Sequence, residues 1–472
     1  MRLPTLFALS IVVALAGCDL GPDYARPSLE IPRDFRSQSA APKPAWPDSA
    51  WWHEFGSVDL DALEAAAQAQ NFDIAVAIAQ VRQADAQIRI NSAPLLPALQ
   101  GTAGATWTQS NLQSGLPRPV TYDTHQYSAG LDASYTLDFW GKTRSTVESA
   151  TASAQYSRFD QATVALTVVS SVATTYFSAL AFEDRLNIAQ QNLRESIASL
   201  DVIRGRLDAG TATALDEAQQ EALVAGVRAT IPSLQSQMQQ QIIGLGILTG
   251  RPPEAITIKP GTLNDIPLPL VGPGLPSELL ARRPDVAAAE QQLIAANANI
   301  KVARAAFFPD FSLTASGGLQ SLALKSLVGP GSTVASLAGA VTQTIFDNGI
   351  LSGQLELARG TYDQLLASYR KAAFQAFTDV ENALNALHYA AEQEALERAA
   401  VATAQRAADI ARAQLAAGTV DVTTLLTAEQ TLFSDQDTLA QVRLSRIEAL
   451  VNLYQALGGG WMSPANATGP DL

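Results

Sequence analysis

Leu279-Leu280-Ala281-Arg282-Arg283-Pro284-Asp285-Val286 opens an Ala/Gln/Asn-rich helical run to Ala306, and Phe307-Phe308-Pro309-Asp310-Phe311-Ser312-Leu313-Thr314 closes it. The X-Pro step disfavours helix at Phe308, and the alternation after it has the period of a strand. The same grammar occurs 212 residues earlier. Asp73, Ala75, Ile88, Arg89, Pro97 and Leu99 stand where Asp285, Ala287, Ile300, Lys301, Pro309 and Phe311 stand later. At an offset of 208 the match continues: Phe139-Trp140-Gly141 lies over Asp347-Asn348-Gly349, Leu207-Asp208-Ala209-Gly210-Thr211 over Leu415-Ala416-Ala417-Gly418-Thr419, and Gly250 over Gly458. The chain therefore holds two copies of a unit of about 190 residues, which overrides a domain count taken from length. The expected organisation is repeat 1 over 59–250, a Pro-rich connector over 251–277, repeat 2 over 278–460 and a tail over 461–472.

The net charge of the 472-residue chain is -14, which disfavours nucleic acid as a partner. Charged residues make up 16%, well below the usual quarter. Few positions therefore face open water with a charge, as in long helices that pack on two sides. The single cysteine forms no intrachain disulfide, and its position is informative. Arg2, an apolar run from Leu6 to Ala16 and the small residues before Cys18 describe a secretory signal over 1–17. Leu15-Ala16-Gly17-Cys18 resembles the bacterial lipoprotein signal, which implies a lipid, such as palmitate, on Cys18. Asp19 bears on sorting, because in some bacteria an acidic residue there retains lipoproteins in the inner membrane. Beyond the leader no run approaches 18 apolar residues, so no membrane-spanning helix is expected.

Residues 18–58 form a lipidated, Pro-rich segment that ends near Trp51-Trp52, an expected packing anchor. Helical spacing of Leu63, Ala67, Ile74, Ile78, Val81 and Ile88 predicts one helix over about Asp59–Asn91, ended by Pro94 and Pro97. His125 to Asp138 then alternates cleanly. Tyr127, Ala129, Leu131, Ala133, Tyr135 and Leu137 take one face, and Gln126, Ser128, Gly130, Asp132, Ser134, Thr136 and Asp138 take the other. Its expected partner is about Ala98–Thr108. The second copy supplies Asp310–Gln320 and about Val334–Ile345. All four have roughly the length of a membrane-spanning strand.

A proline-free helical stretch follows each hairpin, from Lys142 to about Arg206 and from Ile350 to about Leu415, roughly 95–100 Å each. In the second, Leu351, Leu355, Ala358, Tyr362, Leu365, Tyr369, Ala373, Phe377, Val380, Leu384, Leu387 and Ala391 trace a coiled-coil seam. The chain reverses after Gly210 and Gly418. Shorter helices follow over Leu215–Leu248, with a kink expected at Pro232, and over Val422–Leu457. Two short helices end to end match one long helix, so each repeat reads as a rod of about 100 Å. The predicted fold is mainly α with a small β part: long antiparallel coiled-coil helices that form an α-barrel, and four strands given to a membrane β-barrel.

An open sheet cannot stand in a bilayer with its edges unpaired, and bacterial barrels begin at about eight strands. Several chains must therefore pool strands; three would give a twelve-stranded homotrimer whose polar face lines a lumen. At this point several stretches resemble the TolC-like outer-membrane efflux family in its NodT-type lipoprotein branch. They are the lipobox with Gly21-Pro22-Asp23-Tyr24-Ala25-Arg26-Pro27, the Arg282-Arg283-Pro284-Asp285 helix start with Ala288-Ala289-Glu290, the Leu137-Asp138-Phe139-Trp140-Gly141 turn, and the Gly418 tip with Leu425-Leu426 and Ala428-Glu429-Gln430-Thr431-Leu432. The resemblance implies a passive exit duct across outer membrane and periplasm. Its implied partners are a periplasmic adaptor (membrane fusion) protein, an inner-membrane transporter of the resistance-nodulation-division type, and outer-membrane lipid. It places adaptor contact at the tips, Gly210, Thr211, Gly418 and Thr419. It also makes Asp216, Thr424 and Thr427 possible aperture residues. At the matching family positions of the second tip stand Thr424 and Thr427, where relatives often carry Asp at the second or at both, so an acid ring built from that helix is not expected.

Two other readings fit less of the sequence. A periplasmic coiled-coil spacer has no use for four amphipathic strands. An enzyme would need a catalytic motif, and Gly-x-Ser-x-Gly, His-Glu-x-x-His and a phosphate loop are all absent. The three histidines, His53, His125 and His388, are scattered, and no metal or cofactor site is expected. The cargo is not legible in the chain.

Overall fold

The computed structural model describes residues 21–36, 46–112, 120–272 and 274–462. Cys18, and all of the 461–472 tail but its first two residues, lie outside the described residues. The chain divides into two compact units: one holds residues up to Ser28, Val81–Ser157 and Ala289–Tyr369, the other Leu29–Gln80, Arg158–Ala288 and Arg370–Leu472.

The principal elements are α1 (Val58–Gln70), α2 (Phe72–Ser92), β1 (Ala98–Leu112), β2 (Val120–Leu137), α3 (Lys142–Asp208), α4 (Ala214–Leu248), α5 (Pro284–Ala305), β3 (Asp310–Ser321), β4 (Thr333–Thr342), α6 (Ile350–Ala416) and α7 (Val422–Ala456). Short helical turns punctuate the connectors. The order helix, hairpin, long helix, shorter helix occurs twice, as the repeat predicts. The two long helices have 67 residues each, or about 100 Å.

The four strands form one antiparallel sheet in the order β1-β2-β3-β4. The β2–β3 pairing joins the two copies, with Leu131 opposite Gly317 and Leu137 opposite Phe311. Each hairpin hands over to its long helix through an aspartate. Asp138 accepts from the Thr143 and Arg144 amides at 3.0 and 2.9 Å, and Asp347 from the Leu351 amide at 2.7 Å. These carboxylates satisfy donors that the first helical turn leaves free. Gly141, Asn348 and Gly349 supply the positive φ of the two turns.

The sequence predicts one helix before the first hairpin, and the structure has two. Asn71 breaks it with ψ 135°. Its side-chain oxygen accepts from the Asp73 and Ile74 amides at 2.8 and 3.0 Å, and its amide donates to the Leu248 carbonyl at 2.8 Å. A short polar side chain that caps a restart outcompetes helix continuation here. At Pro232, by contrast, α4 runs on unbroken.

The second unit carries a large apolar core. Trp51, Phe55, Leu60, Phe177, Leu180, Leu245 and Tyr454 are among its buried members, and Trp51 stacks on Tyr454 at 4.8 Å. The Trp51-Trp52 pair is thus a packing anchor. Helix α3 contains a stretch long and apolar enough to span a membrane, with mean hydropathy 1.6, although it was not expected from consecutive apolar residues. More than half of that stretch is buried within the chain, and Val168, Val169, Val172, Tyr176 and Phe177 pack into this core.

The connector is held rather than loose. The Leu263 amide donates to Asp184, and Arg443 donates to the Leu263 and Ile266 carbonyls. Arg443 also meets Glu394, which accepts from Arg446 and Arg398 as well. Burial pushes the Glu394 carboxyl up, but the three guanidinium donors outweigh it and hold it at about 2.

Candidate functional site

The sheet separates chemistry by face. On one side the register aligns Leu99, Ala103 and Trp107 of β1 with Ala133, Ala129 and His125 of β2. It then aligns Ala129, Ala133 and Leu137 with Leu319, Ala315 and Phe311 of β3, and Phe311 and Ala315 with Val341 and Leu337 of β4. Leu99, Trp107, Leu131, Leu337 and Val341 on this face are exposed. The opposite face carries hydroxyls, amides and Asp132, with Thr102 Oγ1 donating to Asp132 at 2.8 Å and Ser316 paired with Ser336 at 2.8 Å. A run of exposed leucine, valine and tryptophan costs free energy in water and little in hydrocarbon. The sheet is therefore built to hold lipid on one side and water on the other.

Aromatic side chains pack where β2 ends and β3 begins, at the join between the two copies. Trp140 Nε1 donates to the Pro309 carbonyl at 2.8 Å. Its ring lies 4.8 Å from Phe308, and Phe139 meets Phe311 edge-on at 5.0 Å.

The second feature is the pair of helix tips. Gly210 and Gly418 have φ of 71° and 75°. The Gly210 amide donates to the Leu207 carbonyl and the Thr211 amide to the Arg206 carbonyl; Gly418 to Leu415 and Thr419 to Gln414 repeat the pattern. This is the Schellman closure, in which glycine takes the left-handed position at little cost. Thr211 and Thr419 each add a hydroxyl bond to the same carbonyls at 3.1 Å. The structure brings the tip bases together. Arg206 donates to the Leu415 carbonyl at 2.6 Å, and Ile203, Leu415, Val422, Leu425 and Leu426 share one apolar cluster.

The three candidate aperture residues have local partners. Asp216 accepts from the Thr213 amide and hydroxyl at 2.7 and 2.8 Å, completing a capping box. Thr424 donates from its amide and hydroxyl to Asp421 at 2.8 and 2.6 Å, bonds that draw the Asp421 carboxyl below its usual range. Thr427 donates to the Thr423 carbonyl at 2.9 Å.

Sequence reasoning missed a polar hub near the tips. The fully buried Glu429 of α7 accepts from Ser199 of α3 at 2.7 Å, Gln220 of α4 at 3.3 Å and Arg412 of α6 at 3.1 Å. One carboxylate thus gathers a donor from each of the other three helices, and Arg412 reaches on to Glu195 at 2.6 Å. The available signal was the spacing Leu425, Leu426, Glu429, Leu432, which puts a charge on an apolar seam. Among the described residues no group of three His, Cys, Asp or Glu side chains is placed to hold a metal ion.

Comparison with known proteins agrees with this geometry. The outer membrane efflux protein family profile matches twice, over residues 63–251 and 275–459. The pyoverdine export outer membrane protein OpmQ of Pseudomonas aeruginosa is 38% identical over 98% of both chains. The cation efflux system protein CusC of Escherichia coli is 31% identical over 96% of this chain and 99% of its own. The open state of the Neisseria gonorrhoeae MtrE outer membrane channel superposes with a TM-score of 0.83 at 28% identity, covering 94% of this chain and 98% of that one. With both copies matched and the likeness running through nearly the whole chain, this protein belongs to the outer membrane efflux protein family: it is a passive outer-membrane exit duct and not an enzyme.

Proposed function

We propose that three copies close one twelve-stranded barrel and that a lipid on Cys18 anchors each copy. The observation that carries the trimer is the open four-stranded sheet with one exposed apolar face. Its edge strands β1 and β4 run in opposite directions, so β4 of one copy can pair antiparallel with β1 of the next. Closure removes every edge, as a bilayer requires. Repeat boundaries at 59–250 and 278–460 fit this scheme, with each repeat giving one hairpin and one long helix. The tips at Gly210, Thr211, Gly418 and Thr419 meet a periplasmic adaptor, which connects the duct to an inner-membrane transporter of the resistance-nodulation-division type. The pump selects the cargo. OpmQ is named for pyoverdine export and CusC for cation efflux, and a wide polar duct serves either chemistry.

The test is purification from outer membranes. A heat-modifiable, SDS-resistant trimer that conducts in planar bilayers is expected; a non-conducting monomer would favour the spacer reading. Mass spectrometry of the mature amino-terminal peptide should show diacylglycerol on Cys18, and an unmodified cysteine ends that part of the proposal. Cys18→Ser should still leave trimer in the outer membrane, because the barrel holds itself there.

A further inference from the structure

The segment Gly21-Pro22-Asp23-Tyr24-Ala25-Arg26 lies on α5, and nearly every residue has a partner. Asn297 donates to the Pro22 carbonyl at 3.0 Å. Lys301 Nζ sits 3.9 Å from Asp23 and 3.4 Å from Glu148 of α3. Tyr24 donates its hydroxyl to Glu290 at 3.2 Å. Arg26 grips the same carboxylate with two nitrogens, Nε at 2.6 Å. Gly21 lies flat on the Lys301 stem, where a Cβ would come within 2.2 Å of Lys301 Cγ. On the receiving side Asn297 is buried, and the Lys301 side chain is 6% exposed.

The repeat provides an internal control. Positions 212 residues before Glu290, Asn297 and Lys301 hold Ile78, Asp85 and Arg89. An isoleucine cannot accept from Arg26, and an ionised aspartate cannot donate to a carbonyl. The full donor–acceptor set therefore exists only in the second copy, which is the one that receives the segment. Packing of a symmetric scaffold does not call for that difference; recognition of a peptide does.

We propose that residues 21–26 act as a built-in peptide ligand whose receptor is the Glu290–Asn297–Lys301 face of α5, forming a clasp that holds the amino-terminal segment whether or not Cys18 carries lipid. Cys18 precedes Gly21 by three residues in the sequence, at most about 10 Å of fully extended chain. On the lipoprotein reading, the clasp then fixes where the acyl chains start; the clasp itself does not depend on that reading.

Lysine footprinting of the full-length, detergent-solubilised protein tests this. Acetylation of Lys301, read by mass spectrometry against the exposed Lys259, is expected to be slow in the wild type. Arg26→Ala should speed it about fivefold, a modest effect because that side chain is mostly exposed. Gly21→Val should speed it about tenfold or more, because the Lys301 stem must move aside. Cys18→Ser should leave Lys301 protected. Unchanged labelling in both Arg26→Ala and Gly21→Val would overturn the proposal, and so would lost protection in Cys18→Ser, which would assign the holding to the lipid. Should a variant fail to assemble, Glu290→Gln, which keeps shape and removes charge, is read instead by the same criterion. The mass of the amino-terminal peptide reports lipidation separately, so an unlipidated Cys18 with a protected Lys301 leaves the clasp standing.

Discussion

Replacing Glu64 with leucine should stabilise this protein, and by an amount that grows with pH. Glu64 lies on the buried face of α1 with Leu60, Leu63 and Ala67, and is itself 0% exposed. Neither carboxyl oxygen has a hydrogen-bond partner among the described residues. Burial, with a smaller push from Asp61, raises its pKa from 4.5 to about 9. The folded chain thus keeps a proton that the unfolded chain releases above pH 4.5. Stability is then greatest below about 4.5 and falls as pH rises towards about 9. At pH 7 the cost is about 3.5 kcal/mol per chain, taking about 1.4 kcal/mol for each pH unit above the unfolded pKa. Leucine fills a similar volume and carries no proton.

The assay compares thermal unfolding midpoints of wild type and Glu64→Leu at one scan rate, from pH 5 to pH 8. The variant should melt higher, with a gap that widens by about 1.4 kcal/mol per pH unit in each chain. Glu64→Gln should flatten the pH dependence equally but gain less, since an unpartnered buried amide keeps a desolvation cost of about 1–3 kcal/mol. A gap independent of pH, or a variant less stable at pH 8 than wild type, would refute the reasoning.

Three further outcomes are expected. Leu131→Arg points a charge from the apolar strand face and should cost roughly 2–4 kcal/mol per chain, lowering trimer yield; Asp132→Arg, one residue on and facing the other way, should assemble normally, and equal yields would contradict the assigned faces. Glu429→Ala leaves Ser199 without its acceptor, Gln220 with only the Ser196 carbonyl, and Arg412 with only its acidic neighbours Glu195 and Asp409; a loss of about 2–3 kcal/mol is expected, seen as faster proteolysis between α6 and α7, with Glu429→Gln losing less. Gly418→Val meets nothing within 4 Å, so its cost is backbone strain of about 1–2 kcal/mol; trimer should form while export and crosslinking to the adaptor are lost, whereas Gly418→Asn, which tolerates positive φ, should export.

The sequence made the periodic parts legible. Long helices, alternating strands and glycine-closed tips depend on neighbours a few residues away, and their order repeats twice. The strand ends were less visible: β1 runs to Leu112 and β2 starts at Val120, because polar residues such as Gln109, Asp123 and Thr124 pair across the hairpin without breaking the ladder. The Asn71 break was hidden for another reason. The flanking apolar spacing continues through it, and only the side-chain cap betrays the interruption. The Glu429 hub and the α5 clasp were hidden because they join residues more than 200 positions apart, which no local window reports.

The tips show how a family resemblance and local chemistry divide the same residues. At the 208 offset Thr213 corresponds to Asp421, and Asp216 to Thr424. Both pairs cap their helix, but the acid and the hydroxyl have changed places. In the first copy threonine is the N-cap and the aspartate reaches back from the third helical position. In the second, aspartate is the N-cap and accepts from threonine at that third position. Either order satisfies a free amide at the helix start, so the cap tolerates the exchange. An aperture that counted on an acid at both third positions would not. The carboxylate that the resemblance seeks at Thr424 is present three residues earlier, at Asp421, where the helix start uses it. A threonine at Thr424 is therefore a cap with its members exchanged, and the tip keeps its shape while the charge at that position changes.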